Sequence, residues 1–198
     1  MRKYLLGMSA AAILVITAGC GGEEAGSAAT PESTTTAPTT ESTTSTEHND
    51  ADIAFAQMMI PHHQQAVDMA KMAAEKAGDQ KVKDLASRIE GAQDPEIRQL
   101  TGMLQQWGAP TESSDMPGMD HGSGDGMMTD DQMAQLDQAT GAAFDTMWLQ
   151  MMIEHHQGAV TMAKTELAQG SNPEAKALAQ KIVDAQEAEI TEMQGMLG

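Results

Sequence analysis

Two adjacent histidines, His62 and His63, stand within Met58-Met59-Ile60-Pro61-His62-His63-Gln64-Gln65-Ala66-Val67-Asp68-Met69-Ala70. Ninety-three residues later the stretch returns as Met151-Met152-Ile153-Glu154-His155-His156-Gln157-Gly158-Ala159-Val160-Thr161-Met162-Ala163. Four of the six histidines of the chain lie in these two copies. Imidazole titrates near neutral pH and is a common ligand for copper, zinc and iron. Met59 and Met152, about one helical turn before each pair, add soft thioethers. The doubled pattern therefore raises metal binding as the first chemistry to consider. The repeat is wider than the motif, because residues 51–104 align with residues 144–197 without a gap. An internal repeat of that length implies two similar supersecondary units.

The first motif sits on a helix predicted over residues 50–77. Gln57, Pro61, Gln64, Asp68, Lys71 and Glu75 share one polar face, and Phe55, Met59, Ala66, Ala70 and Ala73 share the opposite one. His62 and His63 straddle the middle of that buried face, roughly 50° to either side. Pro61 removes a backbone donor and predicts a kink; its counterpart in the second copy is Glu154. Gly78 ends the helix and Asp79 can cap the next one. In the second half Gly170 stops the helix, and Ser171-Asn172-Pro173-Glu174 predicts a capping box with proline in the first turn.

The helix after the first turn should bury Val82, Leu85, Ala86, Ile89, Ile97, Leu100, Met103 and Leu104. Gln93 and Glu96 interrupt that stripe at core angles and recur as Gln186 and Glu189. His62 lies sixteen residues before Gly78, and residue 95 lies sixteen after Asp79. Folding the hairpin there brings Gln93 and Glu96 level with His62 and His63. The same register brings Gln186 and Glu189 level with His155 and His156. Each hairpin is thus predicted to hold an inward cluster of His, His, Gln and Glu.

Between the halves, residues 108–128 form a loop rich in Gly, Pro, Ser and Asp. It carries Met116, Met119 and His121, with Met127 and Met128 following. Thr129 caps a short helix, Gln132 completes its box, and Gly141 separates it from the second motif helix. Four long helices in two repeated antiparallel hairpins predict an all-α four-helix bundle over residues 49–198.

The preceding residues read differently. Arg2 and Lys3, a short apolar run and Thr17-Ala18-Gly19-Cys20 form an export leader over residues 1–19, too short to remain a membrane span. The leader resembles that of bacterial lipoproteins, which implies lipidation of Cys20; ordinary secretion is the other reading. Cys20 is the only cysteine, so disulfides and thiolate metal sites are excluded from the mature domain. Residues 20–48 are Thr, Ser, Glu, Ala and Pro with almost no apolar side chains. Such a segment cannot offset its ordering entropy and reads as a disordered tether. The formal net charge of −18 argues against nucleic acid or anionic lipid as a partner, and is compatible with attracting cations.

Together these residues carry a family resemblance. The chain resembles the exported bacterial family called domain of unknown function 305, whose motif is an Asp, an aromatic, a Met, His-His and Met-Ala on one helix. Here the motif reads Asp52, Phe55, Met59, His62, His63, Met69, Ala70, and again Asp145, Trp148, Met152, His155, His156, Met162, Ala163. The resemblance covers everything after the tether. It implies a ferritin-like fold and, because some members are periplasmic copper-binding proteins, a connection with copper resistance.

Two readings of the His–Gln–Glu clusters stay open. They can be paired buried groups that specify helix register, or a metal site with imidazole ligands and the carboxylates of Glu96 and Glu189 as ligands or supports. A ferritin-type di-iron oxidase is not expected, because that site needs Glu-x-x-His motifs and the chain has none. No nucleophilic triad is supported either, so the protein is expected not to be an enzyme. Methionines on buried faces suit core packing. Met116, Met119, Met127 and Met128 lie in or beside a polar loop, where thioethers and His121 suit Cu(I), with docking onto the bundle as the alternative. The expectation is an exported copper-binding protein, Cu(I) favoured over zinc or iron, anchored at the cell envelope. A non-metal structural or interaction module is the rival.

Overall fold

The computed structural model describes residues 46–111 and 126–198. Five helices follow one another: α1 Asp50–Lys76, α2 Gln80–Trp107, α3 Asp130–Gln138, α4 Gly141–Gln169 and α5 Pro173–Leu197. α1 pairs with α2 and α4 with α5, and the two hairpins meet along α1 and α4. The expected all-α bundle of two hairpins is present, with α3 as a short addition against α4. Among the described residues no helix is long and apolar enough to cross a membrane. The leader, Cys20 and most of the tether lie outside the described residues.

Local chemistry explains the helix ends. Asn49 accepts from the amides of Ala51 and Asp52, and Asp52 answers with its own side chain on the Asn49 amide. Asp79 caps α2, and Thr129 with Gln132 forms the predicted capping box of α3. Gly108 closes α2 with φ 67°, a left-handed turn suited to glycine. α1 continues through Pro61 from end to end. One expectation needs correction: the cap of α5 is Asn172, which accepts from Glu174 and Ala175, with Pro173 at the first helical position and no capping box. Ser171 is engaged elsewhere, as described below. Just before α1, Glu47 and His48, tether residues by composition, touch the fold. The Glu47 carbonyl accepts from Asn172, and His48 stacks on Trp107 with centroids 5.1 Å apart.

The interior forms two apolar clusters. One is built around Met69, Leu85, Ile89, Phe144, Trp148 and Met152, the other around Phe55, Met59, Leu100, Leu104, Leu178 and Ile182. Full burial of each such side chain contributes about 1.5–3 kcal/mol. The Trp148 indole donates to the Met69 carbonyl at 2.9 Å, so this deeply buried ring leaves no polar atom unpaired. Every residue predicted to be buried on α2 is buried except Ile97, which is partly covered.

Two clasps lock the hairpins together in pseudo-twofold fashion. Asp52 at the start of α1 accepts from the amides of Ser171 and Asn172 and from the Ser171 hydroxyl, all in the α4–α5 turn. Asp145 near the start of α4 accepts from the amides of Gly78 and Asp79, each at 2.9 Å, in the α1–α2 turn. Each motif aspartate thus fills the amide acceptor position at the opposite hairpin's turn.

Candidate metal centre

His62, His63, Gln93 and Glu96, with His155, His156, Gln186 and Glu189, occupy the middle of their helices. α1 and α4 cross there, so both sets lie in one polar layer between the two apolar clusters. His63 Nε2 is 2.9 Å from Glu96 Oε2, and His156 Nε2 is 2.8 Å from Glu189 Oε2. The two predicted clusters do not stay apart. The rings of His62 and His155 meet across the hairpin interface with centroids 3.7 Å apart and planes inclined by 37°. All four imidazoles are essentially inaccessible to solvent.

The carboxylates set the tautomers of two of these rings. A carboxylate is an acceptor, so Nε2 of His63 and of His156 must donate a proton to it. In that tautomer Nδ1 carries the lone pair, and neither Nδ1 has a partner among the described residues. This is the arrangement in which a carboxylate orients an imidazole and raises its basicity toward a metal. Both ring nitrogens of His155 also lack a well-formed hydrogen bond. Burial, reinforced by His62, His156 and His63, holds its pKa well below that of a free histidine; the His62 backbone opposes this and is outweighed. His155 is therefore a neutral, electron-pair-bearing ring at neutral pH.

The halves differ in how their carboxylates are covered. Burial pushes Glu96 up, but the hydrogen bond from His63, with help from Lys181, outweighs it and keeps the carboxyl below its ordinary range. Lys181 reaches across from α5, its Nζ 3.2 Å from Glu96 Oε1. Glu189 keeps its His156 contact but remains 19% exposed, against 6% for Glu96. Arg88, which occupies the position of Lys181 in the first repeat, pairs instead with exposed Glu192.

Gln93 and Gln186 are buried at the expected level, yet the Oε1 atom of each has no partner. Met59 and Met152 are fully buried, one in each apolar cluster. Of the connector ligands, Met116, Met119 and His121 lie outside the described residues. Met128 corrects the reading of the connector, because it is buried in the core at 6% exposure. Its backbone pairs twice with the Gln65 side chain, at 2.8 and 2.7 Å. Gly126 beside it lies against α4, where an added Cβ would meet the carbonyl of Glu154 at 2.5 Å and Cα of Gly158 at 3.0 Å. Met127 stays partly exposed in a cavity of about 180 Å³ shared with Gln132 and Glu154. Among the described residues no three His, Cys, Asp or Glu side chains are gathered into a ready metal cage. The layer offers unpartnered imidazole lone pairs rather than a closed tetrahedral set.

The family model for the domain of unknown function DUF305 matches residues 52–197. The chain belongs to the DUF305 family. A DUF305 protein from Streptomyces coelicolor, described as secreted, is 38% identical with a TM-score of 0.69, covering 74% of this chain and 91% of its own. A DUF305 fragment from Deinococcus radiodurans is 35% identical with a TM-score of 0.69, covering 76% and 97%. CopM in its Cu(II)-bound form is 37% identical with a TM-score of 0.64, covering 74% and 95%. CopM has also been solved with Cu(I) and with silver bound. No protein of curated function matches the chain.

Seen on this DUF305 fold, the recurrent aspartate of the motif belongs to the clasps rather than to the histidine layer. Sequence periodicity gave Asp52 and Asp145 no role, because their partners are backbone amides of the opposite hairpin. A further residue escaped notice altogether. Glu166 is 1% exposed, although its repeat counterpart is Ala73, a residue assigned to the buried face. A charged residue aligned with a core alanine was the available signal.

Proposed function

We propose that this protein binds copper as cargo, preferentially Cu(I), through the imidazoles of the central layer. The observation that carries this reading is the set of buried ring nitrogens that lack a well-formed hydrogen bond among the described residues: Nδ1 of His63 and His156 and the ring nitrogens of His155. Burying such a lone pair unused is unfavourable, and a metal ion would use it. Glu96 and Glu189 support the histidines from behind. Cu(I) accepts a small number of soft or borderline donors, so it does not need the closed tetrahedral set typical of structural zinc. CopM supports the choice of metal. Met59 and Met152 are the nearest thioethers along the motif helices. Met116, Met119 and His121 form a second, connector-borne set suited to Cu(I) or Ag(I). Export to the cell envelope is supported by the leader and by the secreted relative, and Cys20 is the proposed lipid anchor. The protein is a binding protein and not an iron oxidase.

The rival reading, a structural module, is favoured by one observation. Without metal, the His63–Glu96 and His156–Glu189 bonds already crosslink each hairpin. Titration of untagged protein with Cu(I) or Ag(I) separates the two. The copper reading expects saturable binding, with at least one equivalent lost in His155→Phe, a variant that keeps the ring volume. Absence of binding by the wild-type protein overturns it. Saturable, rapid Fe(II) oxidation would overturn the non-catalytic assignment.

A further inference from the structure

Away from the histidine layer, the Asp52 clasp contains a group that its twin lacks. Glu166, on the last turn of α4, is 1% exposed, and among the described residues no N–H or O–H group reaches either of its carboxyl oxygens. What faces it within hydrogen-bond reach is the Asp52 carboxyl. Asp52 is itself committed as an acceptor, to the amides of Asn49, Ser171 and Asn172 and to the Ser171 hydroxyl. A proton shared between them relieves the repulsion of two buried carboxyl acceptors.

The backbone has been shaped for this group. An added Cβ at Gly170 would lie 2.1 Å from Glu166 Oε1 and 2.4 Å from its Cδ. Glycine at the end of α4 therefore makes the space that the carboxyl occupies. In the first repeat the corresponding residues are Ala73 and Ala77. The second half has exchanged an Ala–Ala pair for Glu–Gly at one matched place, and the clasp at Asp145 has no such neighbour.

We propose that Asp52 and Glu166 form a buried proton-binding site, in which the Glu166 carboxyl carries the proton and donates it to Asp52. The bound proton closes the joint between α1 and the α4–α5 turn. When Glu166 loses it to solvent, two carboxylates face each other and the joint loosens. The site is separate from the histidine layer and does not depend on metal.

Electrostatics agree with the geometry. Burial first, then the hydrogen bond and charge of Asp52, push Glu166 up to about 8, against a weaker opposing pull from Lys176. Asp52 shifts the other way: burial raises it, but the Asn49 amide, the Glu166 hydrogen bond and the turn amides outweigh burial and lower it. The ionisable groups bearing on Glu166 are thus Asp52 from α1 and Lys176 from α5. A raised folded pKa means that the stabilisation is complete below the ordinary glutamate value and is lost as pH rises through about 8.

The direct test is carboxyl ¹³C NMR of the metal-free full chain, with Glu166 assigned by its absence in Glu166→Gln. The expected midpoint for Glu166 is about 8; a midpoint in the ordinary glutamate range overturns the proposal. Amide exchange gives a second readout with an internal reference. Above pH 8 the Ser171 and Asn172 amides should lose protection relative to those of Gly78 and Asp79. Glu166→Gln, which keeps a donor toward Asp52 without titrating, should abolish that difference. The melting temperature of wild type should fall relative to Glu166→Gln by about 5 °C or more between pH 5 and pH 9. A constant difference across that range counts against the site. If Glu166→Gln fails to fold, the wild-type titration alone decides, with resonance assignment from backbone experiments.

Discussion

The two halves of the domain carry the same motif, yet they use it in different surroundings. In the first hairpin Glu96 is nearly buried, holds His63 and is also bound by Lys181. In the second, Glu189 holds His156 but is more open to solvent and has no cation on it among the described contacts. The clasps differ in the same way. Asp145 takes two amides of one turn, whereas Asp52 takes amides, a hydroxyl and a carboxylic acid. The connector also breaks the symmetry, because Gln65 grips Met128 and its counterpart Gly158 leaves the surface on which Gly126 rests. A duplicated sequence has thus kept its hydrogen-bond skeleton while the residues around each copy diverged. What the copies share is structural necessity; where they differ is where accessibility and charge have been adjusted.

The largest effect should come from the clasps. Asp52→Ala strands several backbone amides in a covered turn and should cost about 2–4 kcal/mol, while Asp145→Ala, with fewer donors, should cost about 1–2 kcal/mol. Urea denaturation of the two variants measures both; equal costs would mean that the extra partners of Asp52 contribute nothing. Next come the histidines. His63→Ala and His156→Ala should each cost about 1–3 kcal/mol by leaving a carboxylate without its imidazole. The comparison predicts the smaller loss for His156→Ala, because Glu189 is more open to water than Glu96. An unchanged melt for both would mean that the layer is open to water.

Smaller effects test the local asymmetries. Gly126→Ala should cost about 1–2 kcal/mol, since φ is 74° and the new methyl meets α4 backbone. It should also raise proteolysis at the connector, and a neutral result would show that residue 126 is not seated on α4. Last are the paired cations. Arg88→Ala removes an exposed ion pair and should shift stability by no more than about 0.5 kcal/mol; Lys181→Ala, acting on the more buried Glu96, should cost about 1 kcal/mol or less. A larger effect for Arg88 would reverse the ranking of the two halves.

Much of this was readable from the chain alone, for a specific reason. A hairpin folded at Gly78-Asp79 fixes which residues share a level, so the approach of Glu96 to the His62-His63 pair and of Glu189 to the His155-His156 pair follows from counting, while the choice of His63 and His156 does not. The meeting of His62 with His155 did not follow, because register inside a hairpin says nothing about how two hairpins dock. Met128 was misjudged for a similar reason. Its burial depends on a side chain sixty-three residues earlier and not on the polar loop around it. Ser171 was taken for part of a cap, since its actual partner, Asp52, lies on another helix. Glu166 was the most recoverable omission, because aligning the repeats sets it directly against Ala73.

The central claim is that the carboxylates hold His63 and His156 with Nδ1 lone pairs directed to a metal. Nitrogen-15 NMR of histidine-labelled protein, during stoichiometric addition of Ag(I) or Cu(I), tests this most directly. In the metal-free state, Nδ1 of both residues should give the signal of an unprotonated nitrogen and Nε2 that of a protonated one. Metal should then shift Nδ1, while Nε2 stays protonated against Glu96 and Glu189. Binding that leaves both Nδ1 signals in place would contradict the account and move the copper site to the connector or elsewhere.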